Sequence, residues 1–325
     1  MKSLDNNGCF KVRFPSLRRR QPETIKDLSP NPSPQGEENW ISSDYVLTMT
    51  LRFLCIFSFI LFFPLPCISQ GSSISLTYRV IQLGYGMSNI YDSYLSPLKY
   101  TGNNVGLHYE QMRNINLMNG NVSSQHFINA NYSWSKNNSG TASYYTGLLE
   151  YNYGLLYRLK PAEKWQVFTG MQAGWLVGFV YNTRNGNNPA TGKAHLNLSL
   201  SAIANYKLQV RSQPVNFRYQ LNLPFVGAMY SPQFGQSYYE IGLGFTDNLV
   251  HLASFHNYFS ARNILSAEIP LNKLNLILSY HYSFYETRIN NLDTQLITNT
   301  FYIGFSSNFF VVRGKQKKDN YRYVF

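Results

Sequence analysis

From Ile74 onward, apolar and polar side chains alternate with a period of two through one segment after another. Between Glu163 and Asn182 one face carries Trp165, Val167, Met171, Trp175, Val177, Phe179 and Tyr181, and the other Gln166, Phe168, Gly170, Gln172 and Gly174. Leu196, Leu198, Leu200, Ala202 and Ala204 alternate in the same way with His195, Asn197, Ser199, Ser201 and Asn205, as do Leu274, Leu276, Leu278, Tyr280 and Tyr282 with Asn275, Ser279, His281 and Ser283. This period belongs to β-strands with one apolar face. Aromatic residues near both ends of that face match the interfacial girdles of a membrane strand.

A bilayer admits helices or closed barrels, because every backbone donor and acceptor must be paired inside the protein. The pattern therefore predicts an all-β fold, a transmembrane antiparallel β-barrel of about ten strands, at 74–86, 99–115, 124–135, 141–158, 164–182, 193–209, 214–223, 257–270, 273–287 and 296–310. Twelve strands is the alternative, if SYYEIGLGF and NLVHLASFH pair as a hairpin about Thr246-Asp247-Asn248 and enter the wall rather than cap it. KPAEK, VRSQP and PLNK are tight connections, while those near 87–98, 183–192 and 224–256 are longer. Short periplasmic turns and long outer loops put both ends of the barrel in the periplasm. A soluble periplasmic β-barrel would reverse the faces, with shorter strands.

One continuous apolar run precedes the strands, Met49 to Gly71, with Arg52 in front, a core from Phe53 to Phe63, then Pro64 and Pro66. It is short for a membrane helix and reads as a signal peptide over 49–69, cut between Ser69 and Gln70. Residues 1–48 lack apolar periodicity and read as a spurious or disordered extension ahead of an initiator at Met49. The barrel then occupies 70–310 and a basic tail 311–325.

Composition supports export to a membrane. Aromatics make up 16% of the chain and charged residues 14%, against about 25% charged in soluble domains. Cys9, Cys55 and Cys67 all precede the cut, so the mature chain has no disulfide framework and no cysteine metal site. Beyond it, 20 Lys and Arg face 10 Asp and Glu, with five of the cations between Arg313 and Arg322.

The stretch His256 to Phe309, with SPQFGQSYYEIG and Phe255-His256-Asn257, resembles a family of secreted or outer-membrane proteins of gut-anaerobe bacteria known only as a domain of unknown function. The resemblance implies location and architecture and adds no mechanism.

Candidate chemistry is sparse. By the alternation Arg79, Arg218 and Arg262 point inward, as do Glu110, Glu150 and Glu268, which predicts a neutralised, salt-bridged lumen rather than a charged pore lining. His108, His195 and His281 are isolated lumen positions. In the long outer connection Ser237, Glu240, Asp247, His251 and His256 are the candidate loop site. Ser254, His256 and Ser260 offer a nucleophile and a base in principle, but the motifs of outer-membrane proteases and phospholipases are missing. No phosphate loop, metal cluster or nucleic-acid motif occurs, so no catalytic residue, cofactor or metal is assigned. The expectation is a monomeric bacterial outer-membrane protein, without enzymatic activity, acting at the surface or as a small or plugged pore. Its partners would be membrane lipid, lipopolysaccharide included, and not nucleic acid. A lipid-modifying hydrolase using residues near 247–260 is the alternative.

Overall fold

The computed structural model describes residues 75–311, apart from 163, 211–212 and 272–273. The expected cleavage site at Ser69 and Gln70, the segments 1–48 and 49–69, and the basic tail beyond Val311 lie outside the described residues.

The strands are β1 (Ser75–Asp92), β2 (Ser96–Ile115), β3 (Val122–Asn137), β4 (Ser143–Ala162), β5 (Trp165–Asn182), β6 (Ala190–Val210), β7 (Gln213–Tyr230), β8 (Val250–Ser254), β9 (Tyr258–Pro270), β10 (Asn275–Ile289) and β11 (Leu292–Val311), with one short helix, α1 (Tyr238–Gly242). Neighbours pair antiparallel in chain order from β1 to β7. β1 also pairs with β11, while β7 pairs with β9, so the sheet closes. Strands β8 and β9 run the same way along one edge of β7 and make a single stave, which gives a wall of ten.

Cα partners followed once around the wall from Asn114 lead through Ser123, Leu156, Gly170, Ser201, Asn222, Arg262, Ser283, Thr298 and Ser88 to Gly102, 12 residues from the start on β2 (114 − 102). Such a shear tilts the strands to the barrel axis and leaves a narrow interior that side chains can fill.

The faces divide as a bilayer requires. Ile81, Leu83, Tyr85, Leu196, Leu198, Phe301 and Ile303 all point out, with Leu83 and Phe301 67% and 69% exposed. Gln82, Gln125, Gln172, Gln220 and Asn222 point in and are buried. Asn263 and Asn299 interrupt the apolar band, and each has a neighbouring tyrosine for a partner. Tyr219 donates to Asn263 Oδ1 at 2.6 Å and Tyr280 to Asn299 Oδ1 at 2.7 Å. A polar group facing lipid has no water to turn to, so these pairings satisfy it locally.

Several strands run further than the sequence pattern suggests. β1 and β2 leave a connection of only 93–95 where a loop near 87–98 was expected. The alternation does continue there, with Ile90 and Asp92 buried inside, but the outer face turns polar at Asn89, Lys99 and Thr101. The strands outrun the apolar band. At the β10–β11 turn, Asn290 and Asn291 both adopt positive φ (57° and 59°), which asparagine tolerates and a two-residue hairpin demands.

The possible hairpin of SYYEIGLGF with NLVHLASFH is not formed. Residues 238–242 are α1, and only 250–254 become strand, joining the β7 edge. The helix wins locally because Ser237 and Glu240 form a capping box that satisfies donors of its first turn.

Candidate functional site

The lumen is filled in three layers. Toward the chain-terminal end Tyr78, Val80, Met112, Leu156, Phe168, Ile203 and Ile277 form an apolar plug. Toward the opposite mouth lies a second apolar cluster that includes Ile90, Leu95, Tyr100, Tyr144, Val180, Met229, Tyr258, Tyr285 and Leu296. Within it the Tyr100 and Tyr144 rings stack at 3.5 Å.

Between the two runs a polar network. Arg218 Nη1 donates to Glu110 Oε2 at 2.9 Å, and its Nη2 to Glu110 Oε1 at 2.5 Å and Gln220 Oε1 at 2.8 Å. Gln125 Nε2 donates to Glu110 Oε1 at 2.6 Å, and Gln172 Nε2 to Gln125 Oε1 at 2.6 Å. Asn222 Nδ2 then donates to Gln172 Oε1, while its own Oδ1 accepts from Gln220 at 2.9 Å. A second ion pair joins Arg262 to Glu150, with the Arg262 guanidinium over the Phe127 ring at 3.9 Å.

Among the described residues Glu268 forms no ion pair with an arginine. Tyr78 donates to its Oε2, and Asn275 and Ser306 to its Oε1. The three carboxylates predicted to face inward therefore do so, as do Arg218 and Arg262. Arg79 does not. Its neighbours Tyr78 and Val80 are the buried pair on β1, so Arg79 lies on the outer face, exposed, with its Nε donating to Gln111 Oε1 at 3.0 Å. A side-chain period of two makes one step of parity decisive. The position lies below Ile81, at the end of the apolar band, where a long cation reaches water.

His108, His195 and His281 are all inside and buried. His108 and His281 meet edge to face at 4.9 Å, and the Tyr302 ring packs tilted against His281 at 4.2 Å. Tyr302 crosses the lumen over Gly84 and Gly106; a methyl group on either glycine would overlap its ring or hydroxyl. Sequence reasoning missed one ion pair near the mouth, Lys193 Nζ to Asp92 Oδ2 at 2.8 Å. Asp92 fell in a stretch read as loop and Lys193 at the very start of a predicted strand, and the signal would have been the continued alternation beyond the apolar band.

Over the mouth lies the connection 231–249. Tyr94 donates to Gln236 O at 2.7 Å, and the Tyr238 hydroxyl accepts from Gly192 N at 2.5 Å. Burial pushes the Tyr94 hydroxyl up to about 12, so it remains a donor at neutral pH. On the other side Asn290 Nδ2 faces Ser231 O, Pro232 O and Asn248 O at 3.0–3.2 Å. Within the loop Gln236 Nε2 donates to Phe245 O at 2.8 Å and Gln233 Nε2 to Asp247 O at 3.2 Å. The segment is thus a cap held at both flanks.

The loop residues singled out from sequence do not converge. Ser237 N and Oγ donate to Glu240 Oε2 at 2.7 and 3.0 Å, and these bonds pull the Glu240 carboxyl below its usual range. His251 Nε2 lies 2.6 Å from Asn248 O. His256 Nδ1 lies 2.5 Å from Ser254 Oγ. Among the described residues, the Asp247 carboxylate makes no hydrogen bond or ion pair with either histidine. Asn257 explains the Phe255-His256-Asn257 stretch structurally. Its Oδ1 accepts from Ser254 N at 3.0 Å and its Nδ2 donates to Leu252 O at 2.9 Å, closing the bend between β8 and β9.

An apolar outside, an ion-paired inside and a shear-12 wall of ten staves define a transmembrane β-barrel with a filled lumen and a folded cap. The chain belongs to the family described as a protein of unknown function (DUF3316), whose model matches residues 52–316. No curated protein matches it. Among solved structures it is similar to the transport unit of the autotransporter AIDA-I from Escherichia coli, with 13% identity over 83% of this chain and 98% of that one at a TM-score of 0.41. It is also similar to the outer membrane protease OmpT from Escherichia coli (7% identity, 75% and 99% covered, TM-score 0.37). A third is Ail, the attachment invasion locus protein of Yersinia pestis (12% identity, 71% and 98% covered, TM-score 0.28).

Proposed function

We propose that this is a bacterial outer-membrane protein, exported by a cleaved signal peptide, that acts as a closed, non-enzymatic barrel presenting its capped end at the cell surface. The observation that carries this reading is the filled lumen: among the described residues, buried side chains of two apolar layers and of the polar network between them occupy the interior, where a transmembrane pore needs a continuous water path. Exposed Lys99, Lys136 and Arg184 near the outer rim suit the phosphates of lipopolysaccharide. Reconstitution into planar bilayers is the test. The purified protein is expected to give no discrete current steps, and reproducible unitary conductance would refute the closed reading. Ser254 against His256 is a contact on the side of a lipid hydrolase, and among the described residues no third group hydrogen-bonds His256 to orient it as a base.

A further inference from the structure

Among the described residues, the widest interruption of the wall lies between β7 and the composite stave. Asn222 pairs with Arg262 and Val226 with Ser254, so three residues of β7, 223–225, stand against seven, 255–261. Residues 258–261 keep their pairing with β10 but have no partner on β7, whereas 262–268 pair on both sides. Pro224, at the middle of the gap, has no N–H with which to close the ladder.

Behind this slit is a cavity of about 70 Å³. A cavity needs about 10–15 Å³ to hold one water, so this one has room for a few waters or for the hydroxyls of a small polar head. Asn129, Asn197, Asn222, Ser260, Ser283 and Thr298 line it, offering donors and acceptors in one shell. The ions there, Glu150 and Arg262, already neutralise each other, while Arg262 Nε is buried with no hydrogen-bond partner. Tyr258, Tyr285 and Leu296, which also line the cavity, belong to the apolar cluster on its mouth side. The outer lips of the slit are apolar: Leu252, Phe255 and Phe259 are exposed, and the Phe259 and Phe284 rings lie 5.8 Å apart.

We propose that the slit is a lateral portal through which a single-chain amphiphile with a small, uncharged, hydroxyl-bearing head, of the monoacylglycerol kind, seats its head in the cavity and leaves its tail in the bilayer. Hydroxyls both donate and accept, so they suit the amide and hydroxyl lining without disturbing Arg262 and Glu150. A charged head would have to compete with that pair. Paired strands lie about 4.8 Å apart, too close to pass a chain, so the unpaired stretch is where the wall can part, and a single tail asks for the least parting.

The test uses the full-length barrel in phospholipid vesicles with a photoreactive monoacylglycerol carrying a mid-chain diazirine, its adducts mapped by peptide mass spectrometry. Adducts are expected to concentrate on 222–226, 252–262 and 282–286. They should be competed by 1-oleoylglycerol and not by oleate or dioleoyl phosphatidylcholine. Ser283→Phe, which fills the cavity from the wall, is expected to lower labelling about fivefold or more, the equivalent of about 1 kcal/mol, with heat-modifiable gel migration retained. Labelling spread around the whole belt would mark annular lipid and overturn the proposal, as would full labelling of a folded Ser283→Phe. Equal competition by oleate would overturn the uncharged head. Should Ser283→Phe not fold, the adduct map and the competition decide. None of these readouts depends on conductance, so this inference and the closed-lumen reading fail separately.

Discussion

Arg218→Met isolates the central charge of the lumen. It removes the bidentate partner of Glu110, with contacts at 2.9 and 2.5 Å, in a pair whose side chains are each only 6% exposed. Gln125 still donates to Glu110 at 2.6 Å, so the carboxylate keeps a hydrogen bond and loses its counter-charge. Breaking one side of a buried ion pair costs about 3–5 kcal/mol, most of it the desolvated charge left behind. With a urea slope of about 2 kcal/mol per molar, the unfolding midpoint should fall by about 2 M. Adding Glu110→Gln removes the orphan charge while retaining an amide beside Gln125. The double variant should recover to within about 1–2 kcal/mol of wild type, the scale of one or two unmet hydrogen bonds. The assay is a urea titration of the folded barrel in micelles, followed by the mobility of unheated samples in both the unfolding and refolding directions. Equal midpoints for the single and double variants would refute the reasoning, because the loss would then lie in packing rather than in an uncompensated charge.

Other expectations test the cap, the lumen and the outer bend. Glu240 is held below its usual range by Ser237, so its contribution is present above that range and is lost as pH falls through the lowered value. Hydrogen exchange of segment 237–245 should accelerate on acidification in wild type and lose that pH dependence in Glu240→Gln. Asn290→Ala removes the side chain facing three cap carbonyls and places alanine at φ 57°. Limited proteolysis should then cut within 233–249 while the wall still migrates as a folded barrel. Gly106→Val forces a side chain into the Tyr302 hydroxyl, so refolding yield should drop, and Tyr302→Ala in the same chain should restore it. His256→Ala is expected to leave lipid profiles and monoacylglycerol turnover unchanged; a loss of turnover would revive the hydrolase reading.

The segment Pro224 to Gly244 belongs partly to the wall and partly to the cap. Read along the chain, the segment mixes a serine, a carboxylate, glycines and aromatics without any period. Folded, its first third completes β7, its middle becomes the turns before α1, and its Ser237 and Glu240 serve the helix they begin. Tyr238 and Gln236 are the residues that tie it across the mouth.

Alternation alone determined the class of fold and the inner or outer face of nearly all the strand residues it assigned; it left ten or twelve strands open, and the pairing of β7 with both β8 and β9 decided for ten. The information on faces is local, since each side chain's face follows from its neighbour's. Arg79 shows the limit, because its side depends on the parity of Tyr78 and Val80, and a charged residue at the end of an apolar band is compatible with either face. The lengths of β1 and β2 were hidden for a related reason: beyond the bilayer the outer face turns polar and the hydrophobic signal stops while the hydrogen-bond ladder goes on. Glu110 and Arg218 could be placed in the lumen from sequence, but their pairing is 108 residues long-range and was decided by closure and shear. The same holds for the slit behind Pro224. Its proline is visible in the chain, yet the mismatch of three residues against seven exists only once β8 and β9 compete for one edge of β7.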